Sequence, residues 1–390
     1  MSQLPPPGED ARAHSAALST LIHAEIAASG GWISFARFME MALYTPGLGY
    51  YSGGSRKFGP EGDFITAPEL SPLFGQSVAR QVAEVMAQSA PHVIEVGAGT
   101  GALAADMLLA LEALGTPPVR YDIVELSGEL RARQRETIAM RAPHLASRVQ
   151  WLDALPDTFA GCLVANEVLD VIPVHQMVWR ADGIFERGVA AEGDALVHAD
   201  RPARGAVLAQ AEALELPLPT NGEYVSEICP AACAWTAAWA QRLSAGALLL
   251  IDYGYPRDEY YLPSRAQGTV QCYYRHRAHT DLLRWPGLND ITAFVDFTAI
   301  AEAAFEAGLD VIGYITQGAF LANCGLLDVL AERGQTEEAM REPDYVRAAR
   351  AAHRLTGPHE MGELFKVLAV GRGLSHPLRG FALGDRLHAL

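Results

Sequence analysis

The sequence predicts an α/β fold: a Rossmann-like mixed sheet, mostly parallel with an antiparallel last strand, carrying an N-terminal helical layer and inserted α/β segments. Three observations lead to it. From residue 91 onward, short apolar runs alternate with helical patterns, which implies crossover connections and a sheet covered on both faces. The first of those runs, 93–96, breaks into the glycine turn Gly97-Ala98-Gly99-Thr100-Gly101 just where a helix opens. The chain of 390 residues, 50% hydrophobic and 19% charged, is long enough to bury a core and still carry large inserts.

Residues 15–28 place Leu18, Leu21, Ile22 and Ile26 at helical spacing, and 34–42 reads as a second, shorter helix. The Gly-, Pro- and Tyr-rich stretch 44–71 is long for a structureless loop, which marks it as a functional-loop candidate. Residues 72–88 carry a helical apolar face from Leu73 to Met86. The core then reads as strand 92–96, helix 101–114, strand 119–125, helix 127–141, strand 149–152 and strand 161–165. Residues 174–189 form a two-strand excursion around Ala181-Asp182-Gly183, and 216–221 a linker. The pattern resumes with helix 229–243 and the very apolar strand 247–252. After an insert rich in aromatics and arginine, 298–307 is a helix, 310–314 a strand and 319–355 two or three helices. A last strand, 363–370, closes the sheet as an antiparallel edge. The expected organisation is a helical layer with an active-site loop over 1–90, a core over 91–371 and a C-terminal tail over 372–390. The core carries inserts at about 174–226, 255–290 and 318–357.

The glycine turn fits two patterns. Gly97, Gly99 and Ala102 match the dinucleotide-binding G-x-G-x-x-G/A, while Glu95, Gly97, Gly99 and Gly101 match the E-x-G-x-G-x-G turn of S-adenosylmethionine-dependent methyltransferases. Glu95 favours the second: an acid inside the strand can receive the cofactor's ammonium or fix the turn, whereas pyrophosphate binding has no use for it. Glu125, 24 residues past Gly101 at the end of the next strand, is where a carboxylate accepts both ribose hydroxyls, a feature both cofactors share. Asp153, after the third strand, can take the adenine amino group or be an exposed loop acid.

The fourth strand runs from Cys162 to Ala165 into Asn166, Glu167 and Asp170, a polar group at the switch region of an open sheet. Methyl transfer is an in-line displacement that needs a positioned nucleophile with an available lone pair. An arginine substrate is permanently cationic, so carboxylates must hold its guanidinium and accept charge or a proton. Glu167 and Asp170 suit that task, with Asn166 beside them and Glu227 as a third carboxylate.

Several phrases resemble the MidA-type class I methyltransferases, the family of the mitochondrial complex I assembly factor. These are Gly62-Asp63-Phe64-Ile65-Thr66-Ala67-Pro68-Glu69, the glycine turn with Glu95, Asn166-Glu167 with Asp170 and Pro173-Val174-His175, Ile251-Asp252-Tyr253-Gly254, Val295-Asp296-Phe297, and Met361-Gly362-Glu363-Leu364-Phe365-Lys366. Together they extend over about 35–371. The resemblance implies a class I methyltransferase fold, S-adenosyl-L-methionine as cofactor, and symmetric dimethylation of an arginine on a complex I (NADH dehydrogenase) subunit or a bacterial equivalent. It also implies that Asp63, Thr66 and Glu69 line the cofactor pocket, with Tyr50 and Tyr51 covering the sulfonium. The chain departs from the family where a histidine is usual two residues before Asp296: that position is Phe294.

Composition bounds the alternatives. With 46 acidic against 30 basic residues the net charge is −16, which argues against a nucleic-acid partner. The arginines from 131 to 148 read as a solvated face. No apolar run approaches a membrane span, and the N-terminal residues lack the features of a targeting segment, so a cytoplasmic protein is expected. Five scattered cysteines suit reduced thiols, and Cys229 with Cys233 lacks a second ligand pair for zinc, so no metal is expected. Two other readings stay open: a methyltransferase for a small molecule or base amine, and an assembly chaperone that binds the cofactor without turnover.

Overall fold

The computed structural model describes residues 4–53 and 66–390, which belong to two compact units. The larger comprises Ile65–Leu169, Ala234–Pro256 and Phe297–Leu390. Its sheet strands are β1 (His92–Val96), β2 (Arg120–Val124), β3 (Val149–Leu152), β4 (Phe159–Asn166), β5 (Leu243–Tyr255), β6 (Asp310–Thr316) and β7 (Phe365–Arg372). Their order is β3-β2-β1-β4-β5-β7-β6. The pairs from β3 through to β5 are parallel, and β7 is antiparallel to both β5 and β6.

The expected antiparallel last strand is therefore present, but it is not an edge. It enters between β5 and β6, and is buried from Phe365 to Gly371 because it is paired on both sides. Sheet order is a tertiary property, which strand periodicity does not carry.

The pleat sorts the strand residues by face. Val93, Cys162, Val164, Ala247, Leu249 and Ala369 join a core with residues of Pro72–Gln88 and Ala102–Ala113. On the other face Ile94, Leu163, Leu248 and Leu250 are buried as well, as a doubly covered sheet requires. The register pairs Val96 with both Val124 and Ala165, and Asn166 with Ile251. The glycine turn, Glu125, Asn166 and Asp252 thus share the carboxyl end of the sheet, where ligands of open α/β sheets bind.

The second unit comprises Met1–Phe64, Asp170–Cys233 and Arg257–Asp296. Its five-stranded antiparallel sheet pairs Gly183–Glu192 with Ile33–Ser34, Ala195–Pro202 and His175–Arg180, and the last of these with Tyr224–Ile228. The excursion expected at 174–189 is thus two strands of a larger sheet. Helices Glu9–Ala28 and Phe35–Tyr44 bury Leu18, Ile22, Phe35 and Phe38 in its core. The first helix begins at Glu9 rather than 15, with Glu9 and Asp10 in the first turn, where they complement the helix dipole. A three-stranded sheet centres on Gln271–Tyr274. Among the described residues, no helix is long and apolar enough to cross a membrane.

Candidate functional site

Gly97, Gly99 and Gly101 have φ of 67°, 53° and 84°, left-handed values that glycine adopts without steric cost. Between β1 and helix Ala102–Ala113 they turn the backbone so that Gly97 N–H donates to Val124 O at 3.0 Å. Among the described residues, a Cβ at Gly99 would meet nothing within 4 Å, which leaves room there for an approaching ligand, whereas one at Gly101 would lie 3.0 Å from Gln134 Cα. One glycine exposes the main chain, and the other lets two helices meet.

Glu125 follows β2 and is 8% exposed. Its carboxylate accepts from Ser127 N–H at 2.9 Å and from Gln134 Nε2 at 3.0 Å, and burial raises its pKa. Gln134 Nε2 also donates to Gly99 O at 3.0 Å, and its Oε1 accepts from Trp151 Nε1 at 2.8 Å. One buried amide therefore joins the glycine turn, the ribose-type acid and the third strand. Sequence reasoning missed Gln134, although a signal exists: with Ile138 it occupies the buried stripe of helix Gly128–Arg141, a polar residue in a core-facing register.

Arg131, expected on a solvated face, instead ties two strand ends. It donates to Glu125 O and Leu152 O, each at 2.7 Å, and pairs with Asp153 at 2.5 Å. The Asp153 side chain is 89% exposed, so it matches the loop-acid alternative in burial while standing beside the end of β3.

Glu95 is buried inside β1, where its carboxyl accepts from the Tyr121 hydroxyl at 2.5 Å. Burial raises its pKa to about 7, against the opposing pull of that hydrogen bond. This bond ties β1 to β2, since Tyr121 lies opposite Val93 in the register of the two strands. Thr100, in the turn, donates to Glu69. Thr66 is the N-cap of the short helix Ala67–Leu70, an element inside the stretch expected to be loop. Asp63 lies outside the described residues.

After β4, Glu167 has φ of 55°, a left-handed conformation that is costly for a residue with a side chain. Three bonds hold it. Glu167 N–H donates to Ile251 O at 2.9 Å, while Asp252 Oδ2 accepts from Val168 N–H at 3.1 Å and Leu169 N–H at 2.9 Å. Asn166 Nδ2 donates to Glu167 Oε1 at 3.0 Å, and Asn166 Oδ1 is buried without a hydrogen-bond partner among the described residues. Asp252 entered the sequence reading only as part of a matching phrase. Here it is the residue that shapes the turn.

The division between units falls between Leu169 and Asp170, so Asp170 and Glu227 belong to the other unit. Asp170 is buried, its carbonyl accepts from Ala293 N–H at 2.9 Å, and its charge reaches Tyr51 and Tyr273. Tyr51 donates to Asp290 at 2.9 Å and stacks on Tyr44. Burial, then the charges of Asp290 and Asp170, push the Tyr51 phenol well above its usual pKa. Tyr50, expected to cover a sulfonium, is 1% exposed in the apolar core, because this part of the chain folds back onto helix Phe35–Tyr44.

Glu227, expected as a third substrate carboxylate, is 1% exposed. Its Oε2 accepts from Thr269 N–H and Oγ1, each at 2.9 Å, and from Tyr260 at 3.3 Å, so its bonds anchor the segment around 269. Phe294 N–H donates to Thr269 Oγ1 in the same segment.

The larger unit therefore offers an open backbone turn, a fixed carboxylate with hydrogen-bonded support, and a polar pair after β4. This donor set fits an adenosyl cofactor: Glu125 suits a vicinal diol, and the open face of Gly99 admits a group against the main chain. Among the described residues no cluster of His, Cys, Asp or Glu has the form of a metal site.

Comparisons with known proteins agree with this geometry. Residues 77–315 match a family described as "Putative S-adenosyl-L-methionine-dependent methyltransferase". The mitochondrial protein arginine methyltransferase NDUFAF7 of Mus musculus is 30% identical over 380 residues, spanning 88% of this chain and 81% of the relative. The Homo sapiens protein of that name is 29% identical over 376 residues, spanning 88% and 80%. A crystal structure from Burkholderia thailandensis, bound to S-adenosyl-homocysteine, is 51% identical and superposes with a TM-score of 0.94 over 100% of both chains. The chain is thus a member of this family of S-adenosyl-L-methionine-dependent methyltransferases, of the MidA type, with the class I fold.

Proposed function

We propose that the protein methylates the guanidinium of an arginine in a protein substrate. The observation that carries the reading is the turn after β4. Glu167 is held in a strained conformation by Ile251 and Asp252, beside an Asn166 oxygen that is buried and has no hydrogen-bond partner among the described residues. A strained carboxylate beside an unsatisfied acceptor suits a planar cation rich in N–H donors. Relatives that cover most of this chain are named protein arginine methyltransferases, which supports the same choice.

In this reading Glu125 receives the ribose hydroxyls, and the turn at Gly97, Gly99 and Gly101 lies against the amino-acid end of the cofactor. The bound cofactor supplies an electrophilic methyl group on its sulfonium. Glu167 pairs with the guanidinium and turns one nitrogen lone pair toward that methyl, and Asn166 Oδ1 accepts an N–H that fixes the rotation of the group. Transfer would form the N–C bond as the S–C bond to the methyl breaks, leaving the neutral thioether S-adenosyl-homocysteine; the methylated nitrogen becomes acidic, and Glu167 accepts its proton. Asp252 acts through the backbone, holding the turn that aims Glu167.

A subunit of respiratory complex I, or its bacterial equivalent, is the proposed substrate, and the cytoplasm the proposed compartment, although the curated relatives are mitochondrial. Incubation of the protein with S-adenosyl-L-methionine labelled on the methyl group and isolated complex I tests the substrate. Labelled methylarginine in one subunit supports the reading; cofactor binding without transfer favours a chaperone, and transfer only to small amines favours the alternative enzyme.

A further inference from the structure

The ribose-type acid of this site does not stand alone. Glu125 is one of three groups joined through the side chain of Gln134, which is wholly buried. Gln134 Nε2 has two hydrogens, and each finds an acceptor at 3.0 Å, Gly99 O in the glycine turn and Glu125 Oε2 at the end of β2. Its Oε1 is occupied by the Trp151 indole N–H from β3. With both Nε2 hydrogens and Oε1 engaged, the amide cannot flip without losing all three bonds. Glu125 in turn has one oxygen fixed by Gln134 and the other by Ser127 N–H, which sets the plane of the carboxylate. Gly101 serves the same arrangement, since a Cβ there would press on Gln134 Cα and O at 3.0 and 3.3 Å.

We propose that Gln134 is a positioning residue for cofactor recognition: held by Gly99 O and the Trp151 indole, it orients the Glu125 carboxylate toward the ribose diol. The proposal rests on the cofactor reading above and adds to it a residue that acts through Glu125. A carboxylate that is free to rotate meets a vicinal diol with one good hydrogen bond at a time; a clamped one meets both.

The test is calorimetric titration of the full chain with S-adenosyl-homocysteine and with its 2′,3′-dideoxyribose analogue. The variants are Gln134→Met, similar in length and without donors, and Gln134→Glu, which keeps an acceptor for Trp151 and loses the donor to Glu125. Circular dichroism and melting temperature report whether each variant is folded. The expected result is about a tenfold loss of affinity for S-adenosyl-homocysteine in each folded variant, with affinity for the dideoxy analogue within about twofold of the parent. Equal loss for both ligands would show a merely structural residue and overturn the proposal, as would unchanged affinity for S-adenosyl-homocysteine. If Gln134→Met does not fold, Gln134→Glu decides by the same two ligands. Failure of the unaltered protein to bind S-adenosyl-homocysteine would overturn the cofactor reading itself, and the proposal with it.

Discussion

Asp252, at the end of β5, accepts the backbone N–H of Leu169 at 2.9 Å and so reaches across to the segment that follows β4. The same oxygen takes Val168 N–H, and these bonds, with the one from Glu167 to Ile251, hold Glu167 at a positive φ. The conformation belongs to the turn between two strand ends, not to Glu167 itself. Loss of the Asp252 carboxylate should therefore cost more activity than its distance from the chemistry suggests.

Glu167→Gln should keep affinity for S-adenosyl-homocysteine and lower methyl transfer by about a hundredfold or more, since the amide keeps the shape of the carboxylate without its charge or basicity. Asp252→Ala removes the acceptor of the Val168, Leu169 and Tyr253 N–H groups and should cost about 2 kcal/mol of stability as well as turnover. Titration calorimetry, single-turnover kinetics and urea unfolding check these outcomes.

Gly99→Ala separates folding from binding. A Cβ there meets no atom of the described residues within 4 Å, so the expected cost to the fold is that of the left-handed backbone, about 1 kcal/mol. The added methyl stands in the space that a ligand must enter, so affinity for S-adenosyl-homocysteine should fall at least about tenfold. Melting temperature and calorimetry on the same sample read the two effects.

Gly268→Ala should act in the opposite way. Its φ is 75° and a Cβ would lie 2.1 Å from Glu227 Oε1, whose carboxyl is buried and held through Oε2 by Thr269. A loss of about 3 kcal/mol or more in urea unfolding is expected, as for overpacked cores with added backbone strain.

Glu95 gives the larger unit a pH dependence. Burial raises its folded pKa to about 7 from the usual 4.5, so between those values the folded state binds the proton and the unfolded state does not. Its contribution is fully present below pH 4.5 and is lost as pH rises through 7. Glu95→Gln, which mimics the protonated carboxyl, should match the parent at pH 4.5 and exceed it by up to about 3 kcal/mol at pH 8. Urea unfolding at the two pH values checks the difference.

Much of this architecture was legible in the chain because period-2 and period-3.6 patterns report burial directly. The run from 93 to 96 into three glycines announces both a strand and the one turn that exposes backbone at its end. The place of β7 was not legible, because an apolar strand reads alike at an edge and in the middle. Nor was Ala195–Pro202, whose half-exposed residues lack a clean alternation. Among site residues, Glu125 could be found by spacing alone. Gln134 shows in the sequence only as a polar residue in the buried stripe of its helix, and the partners of Gln134 and Asp252 are set by the tertiary fold. Glu227 shows the same limit: a carboxylate between Ser226 and Ile228 looks the same in the sequence whether it faces a ligand or a neighbouring turn.

Methyl transfer to arginine through Glu167 is decided by one labelling measurement. A lysate from cells lacking this protein is incubated with tritiated S-adenosyl-L-methionine and the purified chain, and the labelled protein is hydrolysed for amino-acid analysis. Tritium is expected in methylarginine with the unaltered protein, and none above background with Glu167→Gln. Label in other amino acids only, or equal methylarginine from both proteins, would contradict it.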